Sequence, residues 1–274
     1  MAYEYGGDRA LDYFPCRYGQ SRLLFRGPPR NLDGAYAVVM GGTETYGKFV
    51  PDPYAALLEE KLGLPVVNFG YMNAGLDVFM GDPVVIDTCR KARVTVVQLL
   101  GAPNMSNRFY TVHPRRNDRF LKASLMMRSL FREVDFTEFH FIRHMLTTLK
   151  TRAHERFALV EEELKSIWVT RMQALLERIG GTTLLLLVGD HHPGSSDREV
   201  LGPDPLMVDE GMIAAVRPCA SDIVRVQPSD RARAARNEGM FFAPLEEPVA
   251  LELPGPQVHQ EIASALLPVL RAHL

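Results

Sequence analysis

The chain has 274 residues, of which 46% are hydrophobic and 23% are charged, and its formal net charge is −2. This composition is typical of a globular protein long enough for a substantial core, in one large domain or two small ones. The slight negative charge disfavours a nucleic-acid-binding protein, because such proteins usually carry a strong positive excess.

The sequence predicts a cytoplasmic protein without a membrane span. The opening residues MAYEYGGDRALDYF contain no basic segment followed by an apolar one, so we expect no signal peptide. The longest apolar run, LLLLV at residues 184–188, is too short to cross a bilayer. The cysteines Cys16, Cys89 and Cys219 are odd in number and far apart, which favours free thiols in a reducing compartment.

The first 34 residues show no clean periodicity, and we predict an extended arm that packs on the rest of the chain. The arm contains Arg17, Arg22, Arg26 and Arg30. Guanidinium groups bind carboxylate, phosphate or sulfate in a bidentate manner. Either these arginines contact acidic groups of the following domain, or one of them reaches the functional site. Arg22 is our candidate for the second role, which would indicate an anionic substrate.

From residue 35 onward, wholly apolar segments alternate with amphipathic ones. This alternation predicts a parallel sheet covered by helices on both faces. One helix is expected to begin after Asp52 as its N-cap and to end at Gly63. The predicted strands cover residues 35–40, 65–70, 94–101, 182–190 and 221–227, and the predicted helices include 52–63, 82–92 and 258–274.

Residues 117–179, between the third and fourth predicted strands, form a predicted helical insertion rich in Met and Phe. Their apolar content exceeds what one face of a sheet requires. We therefore favour a lid or an oligomer interface over a plain helical layer.

The segment VVMGGTETYGKFV, residues 38–50, has two interpretations. From Gly42 to Lys48 it fits G-x-x-x-x-G-K, the pattern of a phosphate-binding loop. However, Phe49 follows where Ser or Thr would bind Mg²⁺, and the next helix is expected only near Pro53. Nucleotide binding is therefore the weaker interpretation.

Taken from Gly41, the same segment is similar to the G-D-S-L-x-x-G motif of the GDSL/SGNH hydrolases, with Thr43 in the place of the serine. Other motifs of that family have counterparts in the same order. Residues 68–75 are similar to its N-x-G-x-x-G motif and residues 101–104 to its G-x-N-D motif, while His259 takes the place of the histidine in D-x-x-H.

The resemblance covers residues 35–274 and implies one domain with the SGNH fold. That fold is an α/β, three-layer α/β/α sandwich around a mainly parallel, five-stranded, flavodoxin-like sheet. Ligands of such sheets bind at the carboxyl ends of the strands.

The resemblance also implies roles for single residues. Thr43 would be the nucleophile and His259 the general base. Asn104, with the amides of Thr43 and of Gly70 or Gly75, would stabilise the oxyanion. The alternatives are a turn-forming or ligand-contacting Thr43, an Asx-turn at Asn104 and a capping or ligand-contacting His259.

Two departures from the family pattern bear on this mechanism. Gly42 stands where the family has an Asp beside the nucleophile, and Pro256 stands where an Asp would orient the histidine. Loss of such a carboxylate costs on the order of 10⁴ in rate in a protease triad. Glu252 or Asp190 is the candidate replacement.

Further substrate contacts are predicted in the loops that follow the strands, and no metal or organic cofactor is expected. These predicted contacts are Gly42, Glu44, Tyr46, Asn73, Asn107, Asp190, His191 and, from the arm, Arg22.

Three functions remain open on the sequence. The first is hydrolysis or transfer of an acyl ester on an anionic or carbohydrate substrate. The second is non-catalytic binding of a small molecule or carbohydrate on the same scaffold. The third is homo-oligomeric assembly through the insertion.

Overall fold

The computed structural model describes residues 11–189 and 200–274. The strands in this part of the chain are β1 Ala37–Gly41, β2 Val66–Gly70, β3 Val94–Gln98, β4 Tyr110–His113, β5 Arg116–Ala123, β6 Thr183–Val188 and β7 Asp222–Val226. The helices are α1 Thr43–Tyr46, α2 Tyr54–Leu62, α3 Leu76–Met80, α4 Pro83–Lys91, α5 Leu125–Leu130, α6 Ile142–Arg152, α7 His154–Ile179, α8 Glu210–Val216, α9 Asp230–Ala235, α10 Glu247–Ala250 and α11 Pro256–His273. Short 3₁₀ turns lie at Phe136–Glu138, Arg217–Cys219 and Pro244–Glu246.

The central sheet has five parallel strands in the order β2-β1-β3-β6-β7. The strands β4 and β5 form a separate antiparallel hairpin. Counted without that hairpin, the order is 2-1-3-4-5, which is the order of flavodoxin-like sheets. The predicted fold class is therefore confirmed.

The sheet is buried on both faces, as the apolar strands predict. In β1 the side chains of Val38 and Met40 belong to one core, which also contains α4 and α7 side chains, whereas Ala37 and Val39 belong to a second core with α2 and α11. Successive side chains of a strand point to opposite faces. Apolar residues at every position of the strand are therefore needed to fill both cores.

The predicted helix limits are correct at one end of α2 and displaced at the other. Gly63 ends the helix in the left-handed conformation, with φ 61°. The N-cap is Pro53 rather than Asp52, because Pro53 still has extended backbone with φ −66° and ψ 161°. At the next predicted helix, the Asp82 side chain accepts hydrogen bonds from the N–H groups of Val84 and Val85.

The insertion differs from the helical prediction at its beginning. Residues 117–123 belong to strand β5, which pairs with β4 across a β-bulge. The buried side chains of β5 include Asn117, Phe120 and Ala123. The N–H of Phe120 donates to the carbonyl oxygen of His140, so the segment is fixed as a strand by pairing on both sides.

The longest helix of the insertion, α7, packs on the sheet. Trp168 is fully buried, and its Nε1 donates to the carbonyl oxygen of Leu100 at 2.7 Å. Leu164, Met172 and Leu175 are also fully buried. This helix is thus a layer of the sandwich, the alternative that we favoured less than a lid or an oligomer interface.

The described part of the arm lies against the sheet domain. The ring of Phe25 lies 4.5 Å from that of Phe69 in β2. The buried guanidinium of Arg26 donates to the carbonyl oxygens of Gly47 and Pro51 at 2.5 and 2.6 Å. Among the helices of the described residues, none is both long enough and apolar enough to span a membrane.

Candidate functional site

A cavity of about 630 Å³ lies at the carboxyl edge of the sheet, where ligands of such folds bind. One side of it is formed where β1, β2 and β3 end. We call the following residues the strand-end wall: Gly42, Thr43, Glu44, Asn73, Gln98 and Asn104. The other side carries charged side chains from strand β5, from helix α6 and from loops. We call the following residues the loop wall: Asp118, Arg143, Asp204 and Glu252.

Helix α1 begins directly after β1 and places two side chains in the strand-end wall. Gly42 is its N-cap, and Gly47, with φ 71°, ends it after a single turn. The hydroxyl of Thr43 accepts a hydrogen bond from the N–H of Asn73 at 2.9 Å. The predicted contacts Gly42, Thr43, Glu44 and Asn73 therefore line one cavity.

Gln98, the last residue of β3, orders this wall. Its Oε1 accepts from the N–H of Gly42 at 3.0 Å and from the hydroxyl of Thr45 at 2.6 Å. Because the Thr45 hydroxyl has one proton and donates it to Gln98, the Tyr54 hydroxyl, 2.8 Å away, must donate to Thr45. Gln98 Nε2 then donates to Glu44 Oε2 at 3.1 Å. A chain of hydrogen bonds thus runs from the core to the Glu44 carboxyl.

Burial is the main influence on the Glu44 carboxyl, and it raises its pKa above the ordinary value. Hydrogen bonds from its own N–H and from Gln98 act in the opposite direction. Of the charges across the cavity, Asp204 raises the pKa and Arg143 lowers it. Desolvation disfavours the charged form of a carboxyl, and a neighbouring negative charge adds to that effect.

The loop wall is organised by contacts between partly exposed polar groups. Arg143 Nη2 lies 3.3 Å from Asp204 Oδ1. Asn73 Nδ2 donates to Asp118 Oδ2 at 3.3 Å, which joins the two walls. Sequence reasoning did not identify Asp118, Arg143 or Asp204, whereas Glu252 was considered only as a partner of the histidine.

His259 does not reach this cavity. Its side chain is fully buried, and its Nδ1 accepts from the N–H of Tyr54 at 3.1 Å, while the two rings stack with centroids 5.9 Å apart. His259 lies on the apolar face of α11 with Ile262, Ala263 and Leu266, which are all buried. Side chains spaced in this way share one face of a helix. The structure therefore gives the predicted general base a place in the core.

Gly70 and Gly75, the two glycines of residues 68–75, both have a structural role. The N–H of Gly70 donates to Asn68 Oδ1 at 2.7 Å, and the N–H of Gly75 donates to Asn117 Oδ1 at 2.9 Å. The two glycine amides proposed for the oxyanion hole, alongside that of Thr43, are thus bonded within the protein. A Cβ on Gly75 would stand 1.7 Å from the carbonyl oxygen of Asn104, so only glycine permits this approach.

Three other predicted contacts lie away from the cavity lining. Asn107 forms an Asx-turn, because its Oδ1 accepts from the N–H groups of the second and third residues after it. Tyr46 is buried, with its ring 5.3 Å from that of Tyr13. Arg22 is exposed on the arm. Asp190 and His191 lie outside the described residues.

The geometry of residues 42–48 differs from that of a phosphate-binding loop. In such a loop the lysine stands where the helix begins. Here α1 begins at Thr43 and has ended before Lys48, whose Nζ lies 3.6 Å from Glu246 Oε1. Within residues 11–189 and 200–274, no group of three or more His, Cys, Asp or Glu side chains is placed to hold a metal ion.

Comparison with known proteins identifies the family of the chain and finds solved structures that are similar to it at low TM-scores. The family model described as "Domain of unknown function (DUF6473)" matches residues 1–274, and the chain belongs to that family. No curated protein matches the sequence.

Two solved structures are similar over most of the chain. One is a family two carbohydrate esterase from Clostridium thermocellum in complex with cellohexaose, with 11% identity, a TM-score of 0.45 and coverage of 91% of this chain and 67% of that one. The other is the lipase Lip_vut3 from a goat rumen metagenome, with 14% identity, a TM-score of 0.41 and coverage of 88% of this chain and 97% of that one.

Proposed function

We propose that this DUF6473-family protein binds a neutral, hydroxyl-rich small molecule in the cavity at the carboxyl edge of its sheet. The observation that carries the proposal is the separation of two groups that the hydrolase interpretation needs together. Thr43 lines the cavity, whereas His259 is not part of the lining, is fully buried and accepts a backbone hydrogen bond from Tyr54. A general base must come within hydrogen-bond reach of the proton that it removes, directly or through one water.

The polar groups of the cavity suit a ligand with many hydroxyls. The amides of Asn73, Gln98 and Asn104 carry both donors and acceptors, and ionised carboxylates accept from hydroxyl groups. A few such groups in a concave site fix the orientation of a ligand. The arrangement of both walls therefore supports binding of a sugar or another polyol.

The charges of the cavity disfavour the anionic ligand expected from the arm. The cations that the described residues place in its lining are already paired, Lys48 with Glu246 and Arg143 with Asp204. The carboxyl groups of Asp118 and Glu252 lie in the same lining, where a ligand carboxylate would be repelled. We therefore expect neutral sugars to bind more tightly than their carboxylated counterparts.

Isothermal titration calorimetry with neutral mono- and disaccharides, glucuronate and glucosamine tests the proposal. We expect a neutral sugar to bind and Asn104→Ala to weaken that binding by about tenfold, the equivalent of one hydrogen bond. Asn31→Ala, on the exposed arm, is the matched control. Tighter binding of glucuronate than of every neutral sugar, or equal affinity of wild type and Asn104→Ala, would contradict the proposal.

Ester hydrolysis by Thr43 is the second candidate, because its hydroxyl lies in the cavity wall. The test is release of nitrophenol from a series of 4-nitrophenyl esters by the wild type and by Thr43→Ala. Turnover that Thr43→Ala abolishes would favour this candidate over simple binding. Equal background rates for both proteins would favour the binding function.

A further inference from the structure

Glu44 differs in its partners from Asp204, the ion-paired carboxyl of the cavity. Within residues 11–189 and 200–274, no cation forms a salt bridge with it, since Arg143 pairs with Asp204 and Lys48 with Glu246. Its Oε2 instead accepts a hydrogen bond from an uncharged amide, that of Gln98. A carboxyl removed from water without a cationic partner is more stable in its neutral form.

The orientation of Gln98 decides which group faces Glu44. Its Oε1 is occupied by the N–H of Gly42 and the hydroxyl of Thr45, so its NH₂ group must point toward the carboxyl. Gln98 is itself buried, and because the Thr45 hydroxyl donates to it, the Tyr54 hydroxyl donates to Thr45.

We propose that Glu44 contacts the ligand as a hydrogen-bond donor, with its neutral carboxyl held in place by Gln98, so that the preferred ligand presents an acceptor oxygen at this point. The inference rests on the proposed function and narrows its ligand class to neutral molecules with a hydroxyl, ether or carbonyl oxygen placed against Glu44. A ligand that presents an ammonium group there would prefer an ionised Glu44 and would be selected against.

Ligand binding should consequently depend on pH. The charged groups in the lining are Lys48 after α1, Asp118 in β5, Arg143 in α6, Asp204 in the loop before α8 and Glu252 after α10. Burial raises the pKa of Glu44, and Asp204 raises it further, while Arg143 lowers it. As the pH rises through this raised pKa, Glu44 loses its proton and the ligand loses its donor, so affinity falls.

The first experiment measures binding of the tightest neutral sugar of the calorimetric panel at several values between about pH 5 and about pH 8. The wild type should bind more weakly as the pH rises. Glu44→Gln keeps an N–H donor and cannot ionise, so it should bind with little pH dependence. Glu44→Ala should weaken binding at low pH by about tenfold. Glu60→Gln, at an exposed position of α2, is the control.

A wild-type affinity that is constant over this range would overturn the inference and leave the proposed function standing. If Glu44→Gln loses binding as completely as Glu44→Ala, the inference is also overturned and the proposed function still stands. If no sugar binds the wild type, the proposed function and the inference that rests on it both fail.

A ligand-free measurement keeps the assignment of Glu44 testable in either case. The side-chain carboxyl ¹³C resonance of Glu44, identified by its absence from Glu44→Gln, is followed against pH by NMR. We expect a midpoint above the ordinary glutamate value of about 4.3. A midpoint at or below that value would overturn the neutral-donor role.

Gln98 is a positioning residue, and the same titration separates its role from a general structural one. Gln98 donates to the ionised carboxyl and thereby lowers the pKa of Glu44. Gln98→Met should therefore move the Glu44 midpoint upward as well as weaken sugar binding. A loss of affinity with an unchanged midpoint would show that Gln98 does not act through Glu44.

Discussion

The two walls of the cavity are held in different ways. In the strand-end wall, Gln98 and Thr45 are buried and connect Glu44 to the core through hydrogen bonds. In the loop wall, Arg143 and Asp204 pair at 3.3 Å while 41% and 32% of their side chains remain exposed. A buried polar network is costly to disrupt, whereas a partly exposed ion pair contributes little. The comparison indicates that the strand-end wall is held more firmly than the loop wall.

The largest loss of stability is expected from a substitution in the core beneath the strand-end wall. His259→Ala removes a fully buried ring that stacks on Tyr54 and accepts its N–H. We expect the free energy of unfolding to fall by about 2 to 4 kcal/mol, measured by urea denaturation. His273→Ala, near the end of the same helix, should change it by less than about 0.5 kcal/mol. A stable His259→Ala protein would show that this ring does not support the wall.

Gln98→Leu disrupts the wall itself. The buried N–H of Gly42 and the hydroxyl of Thr45 would both lose their acceptor. We expect a loss of about 1 to 3 kcal/mol in the free energy of unfolding, since an unsatisfied buried group costs about that much. Gln260→Leu, at an exposed site on α11, is the control for the substitution. Equal stabilities of the two variants would contradict the network.

Glu44→Gln should change stability only at the higher end of the pH range. A carboxyl whose pKa is raised by folding stabilises the protein below its ordinary pKa, and this contribution is lost as the pH rises through the raised value. The wild type should therefore lose stability relative to Glu44→Gln as the pH rises from the ordinary glutamate pKa through the raised pKa of Glu44. Urea denaturation at each pH checks this, and parallel curves for the two proteins would contradict it.

The smallest effect on stability is expected in the loop wall. Arg143→Met removes a pair that is partly open to solvent, so the free energy of unfolding should change by less than about 1 kcal/mol. Arg143 lowers the pKa of Glu44, so its removal should raise the midpoint of the Glu44 carboxyl resonance. A large loss of stability in Arg143→Met, with an unchanged titration midpoint of Glu44, would show that the loop wall contributes more to stability than the strand-end wall.

Sequence reasoning located most of the strand-end wall and almost none of the loop wall. Thr43 and Asn104 follow predicted strands directly, and parallel strands end at one edge of the sheet. Asp118 lies in β5, at the beginning of an insertion that was predicted as helical, and Arg143 lies in a helix of that insertion. Asp204 stands in a loop, where no periodicity indicates the direction of a side chain. Gln98 was missed, although a polar residue within the apolar run VTVVQLL was a signal that it faces the site.

His259 shows why the placement of a motif is insufficient to assign a site. The histidine lies in the closing helix, as predicted, but the direction of its side chain is determined by the helix face. That face was readable from Ile262, Ala263 and Leu266, at the third, fourth and seventh positions after it. The apolar pattern placed His259 in the core, and this pattern was the better guide.

The most direct test of the account is NMR observation of side-chain amides during titration with the sugars of the calorimetric panel. Binding in the cavity predicts that the amide resonances of Asn73, Gln98 and Asn104 shift together with one saturation curve. Asn107, which lies in a closed turn outside the lining, should remain unmoved. Saturable shifts confined to other parts of the chain, with these three resonances unchanged, would contradict the assignment of this cavity as the binding site.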